Sequence, residues 1–205
     1  MTHPIVQHHS TLLRDSSTTP EQFRVSCRIV TTVLGIEALG NLALRSSTIA
    51  TPVVTECKSS VLSDQVVFVP ILRAGLSMLE PMTSLVPNAS FGFIGMVRDE
   101  VTKLPTQYLS NLPAVRNQKW YCLEPMLATG GSSSAALEAL VNFGVLESNI
   151  TLISIFAAPE GIQTVKEKFP AIRLVIGNED EGLTVNKYII PGCGDFGDRW
   201  TLSLL

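Results

Sequence analysis

The chain has 205 residues and a formal net charge of −3, and its mean hydropathy is +0.29 because 45% of the residues are hydrophobic and only 16% are charged. We expect residues 1–205 to form a single domain with a large core and an apolar subunit interface. The negative charge, and the absence of any run among the 15 lysines and arginines, disfavour a protein that binds nucleic acid.

The apolar segments indicate neither a membrane protein nor a secreted one. The longest apolar runs, at 66–72 and 152–158, are far shorter than the roughly 20 residues that a spanning helix needs. Residues 1–15 have no basic start followed by an apolar block, so no secretory signal is expected. The cysteines, which are Cys27, Cys57, Cys122 and Cys193, form no C-x-x-C pair. We therefore expect reduced thiols and a cytoplasmic protein.

The N-terminal segment, residues 1–46, contains the first helix that the pattern predicts. Thr19 fits an N-cap, Pro20 fits the first helical position, and Gln22 fits the reciprocal partner of a capping box. Apolar residues then recur with a helical period as far as Leu42. This segment is expected to form a helical cap.

An alternation of strands and helices follows a predicted edge hairpin at 47–61. The predicted strands are 66–71, 91–97, 120–123, 152–157 and 173–177, and the predicted helices are 75–86, 133–144 and 161–169. Strands that are apolar on both faces and joined by helices predict an α/β fold with a mostly parallel sheet flanked by helices. Ligands of such sheets bind beyond the carboxyl ends of the strands.

Two segments depart from this alternation. Residues 98–118 are polar and interrupted by prolines, which predicts an arm or flap. The tail at 188–205 is rich in glycine and shows no helical period. Long loops inside a compact domain are usually functional or disordered, so both segments are candidates for a binding role.

The segment 124–134 reads EPMLATGGSSS and is the most unusual stretch of the chain. Gly130 and Gly131 allow successive backbone N–H groups to converge, and the helix that follows presents the positive end of its dipole. Such a loop suits a phosphate monoester. The lysine of a G-x-x-x-x-G-K-[ST] motif is missing, which disfavours an ATPase or a kinase. A glycine turn that merely begins a helix would explain the same residues without a ligand.

Polar residues follow several predicted strands. Arg73 follows the strand at 66–71, Arg98 follows 91–97, and Glu124 follows 120–123. The carboxyl ends of parallel strands share one edge of the sheet, where a guanidinium suits a phosphate or diphosphate.

Four segments resemble, in the same order, signature segments of uracil phosphoribosyltransferases. They are VPILRAGL, EPMLATGGS, AAPEG and YIIPGCGDFGD, and the opening HPIVQHHSTLLRD is similar too. The resemblance covers nearly the whole chain. It implies a Mg²⁺-assisted transfer of ribose 5-phosphate from 5-phosphoribosyl 1-diphosphate (PRPP) to N1 of uracil, giving UMP and diphosphate. It also implies a phosphoribosyltransferase-like fold, a homodimer or homotetramer, and GTP as a possible effector.

The resemblance further implies roles for individual residues. The implied PRPP-binding residues are Arg73, Arg98, Glu124, Pro125, Met126, Leu127, Ala128, Thr129, Gly130, Gly131, Ser132 and Asp195. Among these, 128–132 would hold the 5′-phosphate and Glu124 would face the ribose hydroxyls. The implied catalytic residues are Arg73 and Arg98, at the diphosphate, and Asp195, near the metal. Mg²⁺ itself would be held mainly by PRPP.

The tail, taken as 178–205, would recognise the base. The implied uracil-binding residues are Ile189, Gly194, Asp195 and Phe196. Trp200 stands near the C-terminus, where relatives usually carry an aromatic followed by glycine, and is expected to pack in the core or an interface.

Glu124 stands where most members of the family carry Asp, so ribose could be displaced and turnover slowed. An alternative interpretation is therefore a catalytically weak or inactive nucleotide-binding regulator on the same fold. A third, an RNA-binding regulator, is disfavoured by the negative net charge.

Overall fold

The computed structural model describes residues 2–98, 105–115 and 118–201. The helices are α1 (Pro4–Arg14), α2 (Pro20–Leu39), α3 (Leu79–Leu85), α4 (Gly131–Phe143), α5 (Pro159–Lys168) and α6 (Phe196–Thr201). The strands are β1 (Leu44–Ile49), β2 (Cys57–Leu62), β3 (Val66–Leu72), β4 (Ser90–Phe91), β5 (Phe93–Arg98), β6 (Pro105–Asn111), β7 (Lys119–Leu123), β8 (Met126–Leu127), β9 (Ile150–Ala157), β10 (Arg173–Glu179), β11 (Gly182–Leu183) and β12 (Ile189–Ile190).

The main sheet has the strand order β10-β9-β7-β3-β5-β6, with the short strands β4 and β8 beside β3 and β9. Every neighbouring pair is parallel except β5 and β6. Pro70 pairs with Leu123, and Leu123 pairs with Ile153, so the carboxyl ends of the central strands lie at one edge. The predicted α/β fold with a mostly parallel sheet is confirmed.

Helices cover both faces of this sheet, which explains why its strands are apolar on both sides. On one face, helices α1 to α3 bury Phe23, Leu34 and Met82 against strand residues such as Phe68. On the other face, α4 and α5 bury apolar residues against Trp120. At 20 residues, α2 is the longest helix described, and no helix in the described part of the chain has the length and hydropathy to cross a bilayer.

The N-terminal region differs from the sequence-based expectation. The capping box at Thr19 and Gln22 is present, but α2 ends at Leu39 rather than Leu42. The helix predicted first in the chain is in fact preceded by α1, which has His3 as its N-cap. Its buried residues Val6, Ser10 and Leu13 recur every three or four positions, but the buried serine interrupts the apolar pattern, so the sequence does not predict this helix.

The hairpin predicted at 47–61 is formed by β1 and β2, which make a separate antiparallel sheet. The helix predicted at 75–86 is also present, but its first part, Ala74–Met78, is a 3-10 turn that leads into α3. Within this turn, Gly75 packs closely against the end of β7.

The two irregular segments contain more regular structure than their sequences indicated. Within the proposed flap, 98–118, strand β6 pairs with β5 and forms the sheet edge. The residues at 99–104 and 116–117 lie outside the described part of the chain, so the flap is described only in part. The tail, whose sequence shows no helical period, contains the short helix α6, and β12 within it pairs with β11. Six residues are too few for the apolar period of a helix to be recognisable in sequence.

Candidate active site

Arg73 lies at the carboxyl edge of the sheet, directly after β3, and its side chain is exposed. The 3-10 turn that follows packs tightly against the end of β7. A Cβ atom at Gly75 would lie 2.3 Å from the carbonyl oxygen of Leu123, so only glycine permits this approach. The turn therefore holds Arg73 beside the strand end from which Glu124 emerges.

Glu124 is fixed by its backbone and buried at this edge, with an exposed fraction of 9%. Its N–H donates to the Ile153 carbonyl at 3.1 Å, and its carbonyl accepts a 2.7 Å bond from the Ser154 hydroxyl. Burial raises the pKa of the Glu124 carboxyl from 4.5 to about 8, although a hydrogen bond from the Met126 amide works in the opposite direction. The side chain is therefore mainly neutral near pH 7, and a neutral carboxyl can donate a hydrogen bond as well as accept one.

The glycine-rich loop is built between β8 and α4. Met126 and Leu127 pair with the end of β9, and Gly130 then turns the chain with a φ of 79°, a left-handed conformation that favours glycine. Helix α5 packs closely on this loop because a Cβ atom at Gly161 would lie 2.5 Å from the Ala128 carbonyl oxygen. The segment AAPEG thus supports the loop, a role that its sequence did not reveal.

The loop leaves backbone donors at the start of α4. The Gly131 amide donates to the Thr129 hydroxyl at 3.3 Å, and the Ser134 amide donates to the Gly130 carbonyl at 2.8 Å. The amides of Ser132 and Ser133 have no hydrogen-bond partner among the described residues. Free amides at the N-terminus of a 13-residue helix, together with its dipole, form an arrangement that binds anions.

A cavity of about 260 Å³ lies beside this loop. Its lining includes Met126 of β8 and Ala128 of the loop, together with all four of the residues predicted to recognise a base, which are Ile189, Gly194, Asp195 and Phe196. The remaining lining residues are 186–188, in the loop between β11 and β12. Two segments more than 50 positions apart in sequence therefore form the walls of one cavity.

Asp195 lines the cavity and lies in a segment that contacts the 3-10 turn after Arg73. Its carboxylate accepts a 2.8 Å bond from the Asp198 amide, which places it at the start of α6. In that helix, a Cβ atom at Gly197 would lie 3.9 Å from the Cβ of Ala74, so α6 contacts the turn that follows Arg73. Arg73 and Asp195 thus belong to adjoining segments. Arg98 ends β5 at the same sheet edge, but its side chain lies outside the described part of the structure.

The tail is held by Arg14 of α1, a contact that sequence reasoning missed. Arg14 forms an ion pair with Asp180, whose side chain is only 2% exposed, and donates to the Gly192 carbonyl at 2.9 Å. The Gly192 amide also donates to Asp180, at 2.9 Å. Nothing in the sequence indicated this pairing, because Arg14 and Asp180 are 166 positions apart.

A second arginine holds the other end of the tail. Arg199 donates to the backbone carbonyls of Leu13 and Cys193, the latter at 3.0 Å, and packs over the Phe23 ring. Trp200 packs against the same core, which confirms its predicted packing role. The N-terminal helices therefore position the segment that lines the cavity.

Comparison with known proteins agrees with this geometry. The sequence model of the family described as "Uracil phosphoribosyltransferase" matches residues 1–200. The chain is 39% identical to the uracil phosphoribosyltransferase of Limosilactobacillus fermentum, over 96% of this chain and 94% of that protein. It is 42% identical to that of Brevibacillus brevis, with the same coverage of 96% and 94%.

Solved structures share this fold. The structure of the AQ2163 protein from Aquifex aeolicus superposes with a TM-score of 0.92 at 37% identity, covering 99% of this chain and 97% of that one. A hypoxanthine phosphoribosyltransferase from Staphylococcus aureus shares the fold alone, with a TM-score of 0.51 at 12% identity over 77% of this chain and 75% of that one. With a family match over nearly its full length and the predicted fold in place, the chain belongs to the uracil phosphoribosyltransferase family of glycosyltransferases.

Proposed function

We propose that this chain transfers ribose 5-phosphate from PRPP to N1 of uracil, releasing UMP and diphosphate, and that it acts in pyrimidine salvage as a single domain. The observation that carries the proposal is the cavity of about 260 Å³, whose walls come from both the glycine-rich loop and the tail. A sugar phosphate held at the start of α4 would place its ribose between Glu124 and this cavity, with the base inside.

The phosphate groups of PRPP meet donors at two places. The 5′-phosphate would bind the free amides of Ser132 and Ser133, with the hydroxyls of Thr129 and Ser132 at the same loop. The diphosphate would meet the exposed guanidinium of Arg73, and Arg98 would contribute from the neighbouring strand end. Because departure of the diphosphate builds negative charge on it, a cation held there lowers the barrier.

Glu124 would contact the ribose hydroxyls. Since its carboxyl is mainly neutral near pH 7, it would donate a hydrogen bond to one hydroxyl and accept one from another.

Replacing Glu124 with Asp tests whether the longer side chain displaces the ribose. We expect kcat/KM for PRPP to rise about tenfold or more if it does, since an error of about 1 Å can cost on the order of a hundredfold in rate. An unchanged kcat/KM would show that the longer side chain is tolerated.

Uracil would be recognised by the tail. Backbone groups around Ile189 and Gly194, which line the cavity, would offer donors and acceptors to the imide edge of a neutral base, and the buried Phe196 lines the same cavity. A site built from hydrogen-bonding groups rejects bases that leave those groups unpaired. The flap after Arg98 would close over the bound substrates and exclude water, the competing acceptor.

Mg²⁺ would enter this site bound to PRPP. Among the described residues, no group of three His, Cys, Asp or Glu side chains is arranged to bind a metal. Asp195 supplies a single exposed carboxylate beside the Arg73 turn, where it would bind the ion directly or through water. When bound, Mg²⁺ supplies positive charge to the diphosphate oxygens.

The deciding experiment follows UMP formation from labelled uracil, PRPP and Mg²⁺, with and without GTP. Robust turnover supports the proposal, whereas PRPP binding without product would favour the nucleotide-binding regulator. Stimulation by GTP would identify it as an effector, and light scattering would decide between a homodimer and a homotetramer. At present no observation favours the inactive alternative.

A further inference from the structure

The loop between β11 and β12 is a rigid part of the cavity wall. The Thr184 amide donates to the Tyr188 carbonyl at 2.8 Å, and the Tyr188 amide donates to the Thr184 hydroxyl at 3.1 Å. Lys187 is fixed inside this loop, because its amide donates to the Thr184 carbonyl at 2.9 Å. Lys187 therefore has a defined backbone position on the cavity wall.

The backbone of Lys187 is unfavourable for a residue with a side chain. Its φ of 67° is the one positive value at a non-glycine position in the described part of the chain. Glycine or asparagine would adopt this conformation more readily. The lysine side chain thus occupies the cavity wall at a conformational cost, which suggests that the side chain itself has a role there.

The ammonium group of Lys187 is also available to a ligand. Asp195 lines the same cavity, yet Lys187 forms no ion pair with it or with any other residue that the structure describes. The carboxylate of Asp195 instead accepts the Asp198 amide at 2.8 Å. Among the described residues that line the cavity, Lys187 is the one with a cationic side chain.

We propose that the Lys187 ammonium stabilises the negative charge that develops on a carbonyl oxygen of uracil as N1 loses its proton. This inference rests on the proposed function and adds to it a residue that activates the base. The 5′-phosphate already has the amides at the start of α4, so the base is the ligand group in this cavity that lacks a cationic partner.

In the reaction, the bond from N1 to the anomeric carbon forms while the bond from that carbon to the diphosphate oxygen breaks. The electron pair of the broken bond leaves with the diphosphate, which also takes up the N1 proton. As this proton leaves, negative charge spreads from N1 onto the adjacent carbonyl oxygen. A cation near that oxygen makes the base more acidic and therefore a better nucleophile at neutral pH.

The test replaces Lys187 with Asn, which tolerates a positive φ but carries no charge, and with Arg, which keeps the charge. Lys166→Met, on the exposed surface of α5, is the matched control for loss of a lysine. We expect Lys187→Asn to lower kcat/KM for uracil about tenfold, because the substitution removes one charge contact from a partly exposed site. With 5-fluorouracil, whose N1 proton is intrinsically more acidic, we expect the loss to be about threefold or less. Lys187→Arg should retain most of the activity with both bases.

An equal loss with both bases, or no loss with either, would overturn the proposal, because a merely structural role does not depend on the acidity of the base. A second measurement needs no turnover: the ¹⁹F shift of bound 5-fluorouracil, followed against pH, should report a lower pKa for the bound base in the wild-type protein than in Lys187→Asn. The other titratable groups that face this loop are Asp195 and Tyr188 on the cavity wall and Glu160 beside Gly182, and all three are present in both proteins.

The two measurements also separate this inference from the function on which it rests. Wild-type protein that binds 5-fluorouracil but makes no UMP would refute the proposed function, and the ¹⁹F titration would still decide the role of Lys187. If neither uracil nor 5-fluorouracil binds, both proposals are refuted.

Discussion

Replacing Glu124 with Gln should stabilise the protein, and the gain should increase with pH. The carboxyl is buried and has a pKa raised from 4.5 to about 8, mainly because burial disfavours its charged form. Below the pKa of the unfolded chain, the Glu124 side chain is neutral in both the folded and the unfolded state and does not lower the free energy of unfolding. As the pH rises, the unfolded chain ionises this group while the folded protein keeps it protonated, so the wild-type protein loses stability until the pH passes the folded pKa. Gln has the same shape and remains neutral throughout.

The pKa values set the size of this effect. Each unit of pKa difference is worth about 1.4 kcal/mol, so the penalty approaches about 5 kcal/mol above a pH of about 8. Between about pH 5.5 and about pH 7.5 the stability difference between Glu124→Gln and wild type should widen by about 2.5 kcal/mol. For a chain of this length, that corresponds to about 5–10 °C in Tm.

The assay is thermal unfolding of both proteins, followed by circular dichroism at several pH values in that range. Glu138→Gln is the matched control, because Glu138 is an exposed carboxylate on α4. We expect its Tm difference from wild type to stay constant with pH. A difference that stays equally constant for Glu124→Gln would refute the raised pKa of Glu124, and with it the neutral hydrogen-bond donor proposed for the ribose.

Three further substitutions test separate parts of the site. Arg73→Ala should lower kcat/KM for PRPP about a hundredfold, because stabilisation of the diphosphate is lost. The Tm should stay unchanged because the side chain is exposed. Unaltered KM and kcat values would show that Arg73 is not part of the site. Gly75→Ala should lower the free energy of unfolding by about 1–3 kcal/mol and also reduce activity, because its Cβ would lie 2.3 Å from the Leu123 carbonyl oxygen. A Tm equal to that of the wild-type protein would contradict this packing. Arg14→Met should lower the free energy of unfolding, measured by chemical denaturation, by about 3 kcal/mol because it leaves the buried Asp180 without its ion-pair partner. Adding Asp180→Asn to this variant should recover part of the loss.

Local patterns in the sequence determined much of the fold. The capping box at Thr19 set the start of α2, and the fully apolar strands identified a parallel sheet with helices on both faces. The glycine pair after Thr129 marked the turn into α4. These features depend on residues a few positions apart, so their physical causes are visible in a short stretch of chain.

The tertiary structure alone decided how these parts meet. Arg14 holds the tail through Asp180, and Gly161 lets α5 pack on the glycine-rich loop; neither partner is near in sequence. The raised pKa of Glu124 likewise depends on the burial created by several strands together. Ion pairing across distant segments, close backbone contacts and desolvation arise only when the chain has folded, because each depends on distances in space that local sequence patterns do not encode.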